Sequence, residues 1–301
     1  MHLYVKILYR LLLCLPVTLF CLVPSAFGGE FRLQKLADGI YAAIAQPDGR
    51  AASNALIIVT NSEVILAGAH FSPEVTRELI SEIDKITPLP LRRVILTHHH
   101  RGYNYLDFDL PPSAEVITSW QAWKNIKSEY REMKNPVLFF DKGISLQRGT
   151  TTIILSTTEE GHTEGDVVLY IPNARVLFTS DLVFNDSVGF MGDGHMRAWV
   201  QGLQTLEEIG ARVVVPGVGG VTDAGGIRRF RVFLQEFFTE LLRHMEKGES
   251  LAETKKRFSL PAYEEMPGYN TFFNVNVERA YKELKGDVPS ISPESRKKGP
   301  K

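Results

Sequence analysis

Thr97-His98-His99-His100-Arg101-Gly102-Tyr103-Asn104 closes an apolar run, Arg93-Val94-Ile95-Leu96, and its reading decides the fold of this 301-residue chain. The run has the length and composition of a short buried strand. Residues two apart in an extended segment project to the same side, so His98 and His100 point together and His99 points away. Two imidazoles converging at a strand end make half of a zinc site. A solvated histidine cluster in a loop is written with the same letters, and the rest of the chain has to choose between the two.

Upstream, Ile40 to Ala45 and Ala55 to Thr60 read as strands divided by a polar turn region, and Glu63 to Ala67 reads as another. A helix follows, with Ser72 as N-cap, Pro73 at its first position and Glu74 in its first turn. Val75, Leu79 and Ile83 form its apolar face. Strand, helix, strand in this order is a βαβ unit, whose chemistry sits at the carboxyl end of the strand.

Downstream, Ala114 to Thr118 reads as a strand and Trp120 to Arg131 as a helix. Ile144 to Gln147, Thr151 to Leu155, Val167 to Ile171 and Val176 to Thr179 read as strands with hairpin-like breaks. Between two of them lies the polar, glycine-flanked stretch from Glu159 to Asp166, which carries His162. Asp181 closes the last of these strands, a place where an aspartate also caps turns. Val213-Val214-Val215-Pro216-Gly217 is a strand running into a turn. A long amphipathic helix spans about Asp223 to Lys247. Ile227, Phe230, Phe233, Phe237, Leu241 and Met245 form one face, which reads as core against a sheet, and Gly248 is its stop. A last helix covers about Val275 to Leu284. Strands followed by a helix occur twice, which predicts one domain of two similar halves over residues 29–285.

The two ends read differently. His2, Lys6 and Arg10 precede an apolar run, Leu11 to Val23, and small residues follow at Ala26 and Gly28. Residues 1–28 therefore predict a secretory signal cut after Gly28, and an exported protein, periplasmic or secreted. The run is short of the ~20 residues of a membrane span and is interrupted by Pro16; the alternative is an uncleaved anchor. Both cysteines, Cys14 and Cys21, lie in this segment, so the mature chain has no thiolate to offer a metal. Its removal takes Lys6 and Arg10 and moves the net charge from -1 to -3. That mild charge argues against nucleic acid as a partner, and against a membrane once the signal is gone. The expected partner is a small molecule. Residues 286–301, rich in Pro, Ser and Lys, predict a disordered tail.

These motifs, in this order, resemble the metallo-β-lactamase-fold superfamily of binuclear zinc hydrolases, over about Phe31 to Leu284. The strand-helix entry of that family matches Val64 to Ala69 and Ser72-Pro73-Glu74, with Gly68 in the place of an aspartate. Its His-x-His-x-Asp-His motif falls on His98 to Tyr103: His98 and His100 match the leading histidines, while Gly102 replaces the aspartate and Tyr103 the last histidine. Gly161-His162-Thr163 matches the Gly-His-Thr turn, and Asp181 matches the bridging aspartate. Pro216-Gly217-Val218-Gly219 stands where the family has Pro-Gly-His-Gly. The segment Phe190-Met191-Gly192-Asp193-Gly194, taken as part of a helical insert after Asp181, and Met266-Pro267-Gly268-Tyr269 are similar to those of exported hydrolase-like members.

The resemblance implies an α/β fold, a metallo-β-lactamase-like αββα sandwich. It also implies a first metal set of His98, His100, His162 and Asp181, all kept here. Of the second set, the positions of Gly102, Tyr103 and Val218 have lost their ligands, and Arg101 adds a positive charge beside them. One zinc ion is therefore expected, in a metal-dependent hydrolase with a degenerate second metal site. The candidates for a proton donor or acceptor are Tyr103, His99 and the Asp193/His195 pair. A zinc-bound protein of weak activity, serving as a binding or accessory factor, and a metal-free scaffold are the competing readings.

Overall fold

The computed structural model describes residues 29–68, 72–100, 110–127 and 135–288. The expected signal segment, the tail beyond Val288, and Arg101, Gly102 and Tyr103 lie outside the described residues. Strands β1 (Phe31–Ala37), β2 (Ile40–Ala45), β3 (Ala55–Val59), β4 (Val64–Ala67), β5 (Leu91–Ile95), β6 (Glu115–Ser119) and β7 (Val137–Phe140) form a seven-stranded sheet in chain order. β8 (Gly143–Arg148), β9 (Thr151–Thr157), β10 (Val167–Ile171), β11 (Val176–Phe184) and β12 (Val213–Val218) form a five-stranded sheet ordered β12-β11-β10-β9-β8. Each sheet is thus built by one continuous half of the chain.

Period-two alternation decides what each sheet face meets. Leu56 and Ile58 of β3, Ile65 and Ala67 of β4, and Ile95 of β5 pack against Leu155, Leu169, Phe178 and Val215 of the other sheet. The residues between them, Ala55, Ile57, Val64, Leu66 and Val94, face outward and are covered by Val75, Leu79 and Ile83 of α1 (Pro73–Ile86) and Ile126 of α2 (Trp120–Lys127). The outer face of the second sheet, through Val168, Leu177 and Val214, meets α3 (Met196–Glu208) and α4 (Ala224–Glu246) at Trp199, Leu203, Ile227, Phe230 and Phe237. Helices α5 (Leu251–Arg257) and α6 (Tyr269–Lys285) complete that layer. Each fully buried Leu, Ile or Phe contributes about 1.5–3 kcal/mol. The result is the αββα sandwich that the resemblance implies.

Ser72 caps α1 as expected, its side chain accepting from the Val75 N–H, and α1 carries the chain between the parallel strands β4 and β5. Asp223 caps α4, whose expected Phe stripe is buried core. At the edge away from the histidines, Glu63 joins the sheets by pairing with Arg93 of β5 and, at 2.9 Å, with Arg148 of β8. No helix among the described residues is long and apolar enough to cross a membrane.

Several expected boundaries move. β11 continues to Phe184 instead of stopping at Thr179, because its outer-face residues Leu182 and Phe184 are buried under α3 and α4. The segment after β11 is not helical until Met196, so Phe190 to Gly194 form a loop. α6 begins at Tyr269, where Gly268 at φ 83° turns the chain, and not near Val275. β7 and α5 carry signals left unread: a Val-Leu-Phe-Phe run after Pro136, and a capping box between Ser250 and Glu253.

Gly68, at the end of β4, has φ 81°, and a Cβ there would overlap the Phe178 ring of the facing sheet. The ring occupies the space that an aspartate side chain would need. Gly68→Asp should therefore lower unfolding stability by roughly 2–4 kcal/mol, from overpacking and left-handed backbone strain together. Urea denaturation measures this, and an unchanged midpoint would show that Phe178 can swing aside.

Candidate metal centre

A backbone and a side-chain link bring the end of β5 to the start of β10 and to the middle of β11. The Thr97 carbonyl, just past β5, accepts from the Val167 N–H at the start of β10 at 2.7 Å. The Thr97 hydroxyl lies 2.8 Å from the Ser180 hydroxyl in β11 and 3.2 Å from His98 Nδ1. His98 follows Thr97, His162 precedes β10 and Asp181 follows Ser180, so these links place all three side chains at one sheet edge.

Asp181 is aimed by a break in the ladder. Ser180 adopts φ 48°, a left-handed conformation unfavourable for a non-glycine residue. The pairing of β11 with parallel β12 shifts on both sides of it. The carboxylate passes over Gly217, where a Cβ would collide with Asp181 Oδ1. The end of β12 around Gly217 is held by Asn54, a buried residue of the polar stretch before β3. Its side-chain amide donates to the carbonyls of Pro216 and Gly219 at 2.9 and 2.8 Å. Its own carbonyl accepts from the Ala45 N–H.

The histidine of the polar stretch is fixed just as firmly. Asp166 accepts from the Thr163 N–H and the Thr163 hydroxyl, folding Gly161-His162-Thr163 into a tight turn. The His195 N–H donates to the Gly161 carbonyl at 2.8 Å. The buried His162 ring packs against Trp199 at 5.3 Å and Phe184 at 5.8 Å between centroids.

The outcome is a compact group. Ligand atoms of His98, His100, His162 and Asp181 all lie within 4.8 Å of one another. His98 and His162 rings are 5.0 Å apart between centroids, close enough for one ion to reach a nitrogen of each through bonds of ~2 Å. His162 Nε2 is 2.8 Å from His100 Nδ1, and Asp181 Oδ2 is 3.6 and 3.7 Å from Nε2 of His98 and His162. His99 is outside the group. Of the other candidates, Tyr103 is outside the described residues, Asp193 stands beside the group with Oδ2 3.3 Å from His100 Nε2, and His195 is buried beside Arg279 and Glu164. Val218 is at the end of β12, on the wall of the adjoining cleft.

That cleft, of about 490 Å³, opens onto His98, His100 and Asp181 and is mostly apolar, with Phe184, Val188, Phe190, Pro267 and Phe272 among its walls. Sequence reasoning missed these walls, which come from segments far apart in the chain. Burial pushes the Asp181 carboxyl up to about 6, opposed by the nearby His100, and pushes Asp166 up to about 7, opposed by its bonds to Thr163. Asp193, half-exposed, goes the other way: contact with His100 lowers it.

Comparison with known proteins agrees with this fold. A family model described as "Metallo-beta-lactamase superfamily" matches residues 105–218, a span that contains His162 and Asp181 and ends at Val218. A type 2 metallo-beta-lactamase of Bacillus cereus is 27% identical over 183 residues, covering 58% of this chain and 69% of that protein. Another, from Pseudomonas aeruginosa, is 21% identical over 240 residues, covering 72% of this chain and 91% of that protein. The solved structure of a metallo-beta-lactamase from Pontibacter korlensis superimposes with a TM-score of 0.59 at 22% identity, over 68% of this chain and 99% of that one.

The raised Asp181 carboxyl has a measurable consequence. Its pKa is about 6 in the folded chain against an ordinary value of 3.8, so the folded state holds the proton more tightly than the unfolded one. The metal-free protein is favoured below the ordinary value and loses that stability as pH rises to about 6. Asp181→Asn removes the buried charge. In thermal melts with chelator present, the variant should match the parent near pH 4 and exceed it near pH 8, as the linkage requires. Equal melting temperatures at both pH values would show that Asp181 is not desolvated.

Proposed function

The chain is a metallo-β-lactamase-fold protein, and on that footing we propose that it is a hydrolase working with a single zinc ion. His98, His100 and His162 hold the ion, with Asp181 as fourth ligand or as an acceptor orienting one of them. The observation that carries this is one-sided: four potential ligand atoms converge within 4.8 Å, while the other set's positions carry Gly102, Tyr103 and Val218.

The residues fit the ion. Three imidazoles and a carboxylate are a zinc donor set, and no thiolate is needed. Asp181 Oδ1 is buried and has no hydrogen-bond partner among the described residues, an arrangement costly for a carboxylate unless a cation meets it. When bound, zinc supplies Lewis-acid polarisation of a carbonyl and acidifies water to a pKa of about 7. The chain's own part is to orient the ligands and to receive the substrate. Phe184, Val188, Phe190, Val218, Pro267 and Phe272 line the cleft, so the substrate we propose is a small acyl compound carrying an apolar group.

A second reading, a zinc-bound protein of weak turnover, is favoured by one distance pair. Asp181 Oδ2 lies 3.6 and 3.7 Å from His98 and His162 Nε2, near enough to occupy the fourth position and close the site, as structural sites are closed. Turnover assays divide the two readings. We further propose export after cleavage at Gly28, with neither nucleic acid nor membrane as partner. An intact Met1 in a membrane fraction, read by mass spectrometry, would overturn the cleavage.

Elemental analysis should find close to one zinc per chain, and His100→Ala should abolish it while Tyr103→Phe leaves it unchanged. Introducing Gly102→Asp, Tyr103→His and Val218→His together should raise the count toward two, unless Arg101 opposes the second cation. Two tightly held ions in the parent protein would refute the one-metal reading. Without the aspartate replaced by Gly102, hydrolysis of β-lactams and thioesters should be slow; efficient turnover would place the missing role elsewhere, with Tyr103 the first residue to test.

A further inference from the structure

We propose that Asp193 is the positioning residue for His100, and that helix α6 holds Asp193 in place to do it. The inference rests on the one-zinc reading for its consequence and on geometry for its substance. His100 is approached from two sides. Its Nδ1 faces His162 Nε2 at 2.8 Å, and its buried Nε2 lies at ion-pair distance, 3.3 Å, from Asp193 Oδ2. A neutral imidazole carries its proton on one nitrogen and offers the lone pair of the other. A carboxylate at Nε2 keeps the proton there and leaves the Nδ1 lone pair turned into the group, which is how metal-ligating histidines are commonly oriented.

An aspartate whose side chain is 51% exposed in such a pair adds little stability. Its value is directional, and direction requires that Asp193 itself be fixed. The loop from Gly189 to Gly194 is tied along one face of α6 by residues at helical spacing. Asn276, buried, accepts from the Met191 N–H at 2.7 Å and donates to the Gly189 carbonyl at 3.0 Å. Arg279 donates through Nε to the Gly194 carbonyl at 2.7 Å and through Nη2 to the Asp193 carbonyl at 3.2 Å. One turn on, Glu283 accepts from the N–H groups of Met196 and Arg197. The same loop sets Phe190 edge-on against the His100 ring, centroids 5.1 Å apart. His100 is thus steered by a loop that α6 clamps, and neither the loop nor α6 contributes a ligand to the group.

The test combines zinc competition titration with nitrogen-detected NMR of the histidine rings. In the parent, His100 should be the Nε2–H tautomer, both metal-free at about pH 8.5, where imidazole is neutral, and zinc-loaded. Asp193→Ala should mix the tautomers and weaken zinc binding by about 10–100-fold. Asp193→Asn, which keeps an acceptor oxygen, should recover most of both. Arg279→Met, remote from the group, should give a smaller shift in the same direction. An Nδ1–H tautomer in the parent, or an Asp193→Ala variant with unchanged tautomer and affinity, would overturn the assignment. A parent that takes up no zinc would sink the one-metal reading alone, because the metal-free tautomer still decides the role of Asp193.

Discussion

The apolar layer between the two sheets is the constraint on which the rest of this structure depends. Ile65, Ile95 and Ile117 from one half of the chain meet Leu169, Phe178 and Val215 from the other, and no other register buries both sets, because a slip of one residue turns a strand's apolar face over. Once that layer closes, the carboxyl end of β5 and the middle of β11 have to share an edge. Thr97 then reaches Val167 and Ser180 at hydrogen-bond distance. The convergence of His98, His162 and Asp181 is a by-product of packing, secured afterwards by polar links.

Those polar links explain why the edge tolerates so much unfavourable chemistry. The left-handed Ser180, the buried carboxyls of Asp166 and Asp181, and three imidazoles side by side each cost stability. Strain and desolvation of this kind persist only where the surroundings over-determine them. Here the sheet core, the Asn54 bridge to the end of β12 and the Asp166 clamp on Thr163 do so. The two sides of the edge differ in character. The side of His98, His100, His162 and Asp181 is a concentrated set of donors, whereas Val218 and the neighbouring Phe184, Val188 and Phe272 make the other side an apolar wall. A polar cluster facing an apolar cleft suits a small ligand that presents one reactive group and one greasy one.

The C-terminal part of the chain plays a larger part than its distance from the histidines suggests. α6 packs on the outer layer through Val277, Ala280 and Tyr281, and its polar face organises the loop that carries Phe190 and Asp193. The mouth of the cleft is shaped as well, since Val188 donates its N–H to the Pro267 carbonyl just ahead of α6. A helix that contributes no atom to the donor group therefore governs one side of a donor ring and part of the cleft wall.

Much of this was legible from residue order. Strand runs such as Ala55–Val59, the Ser72-Pro73 start of α1, the Phe stripe of α4 and the spacing of His98 and His100 are local patterns, and local patterns follow from side-chain periodicity and capping chemistry alone. Likewise His162 and Asp181 stood out through their glycine-flanked or strand-end settings, although what they meet could be named only through a resemblance. Other features have no local signature. The continuation of β11 past Asp181 depends on α3 and α4 covering Leu182 and Phe184; the importance of Asn54 depends on Pro216 in β12, 162 residues away; the place of Asp193 depends on Asn276 and Arg279. The sequence by itself determined which segments are strands and helices and which side chains carry donor chemistry. Only the tertiary structure decided which donors meet and which carboxylate faces which ring nitrogen, because contacts between distant segments are set by the closing of the common core and not by any neighbour in the chain.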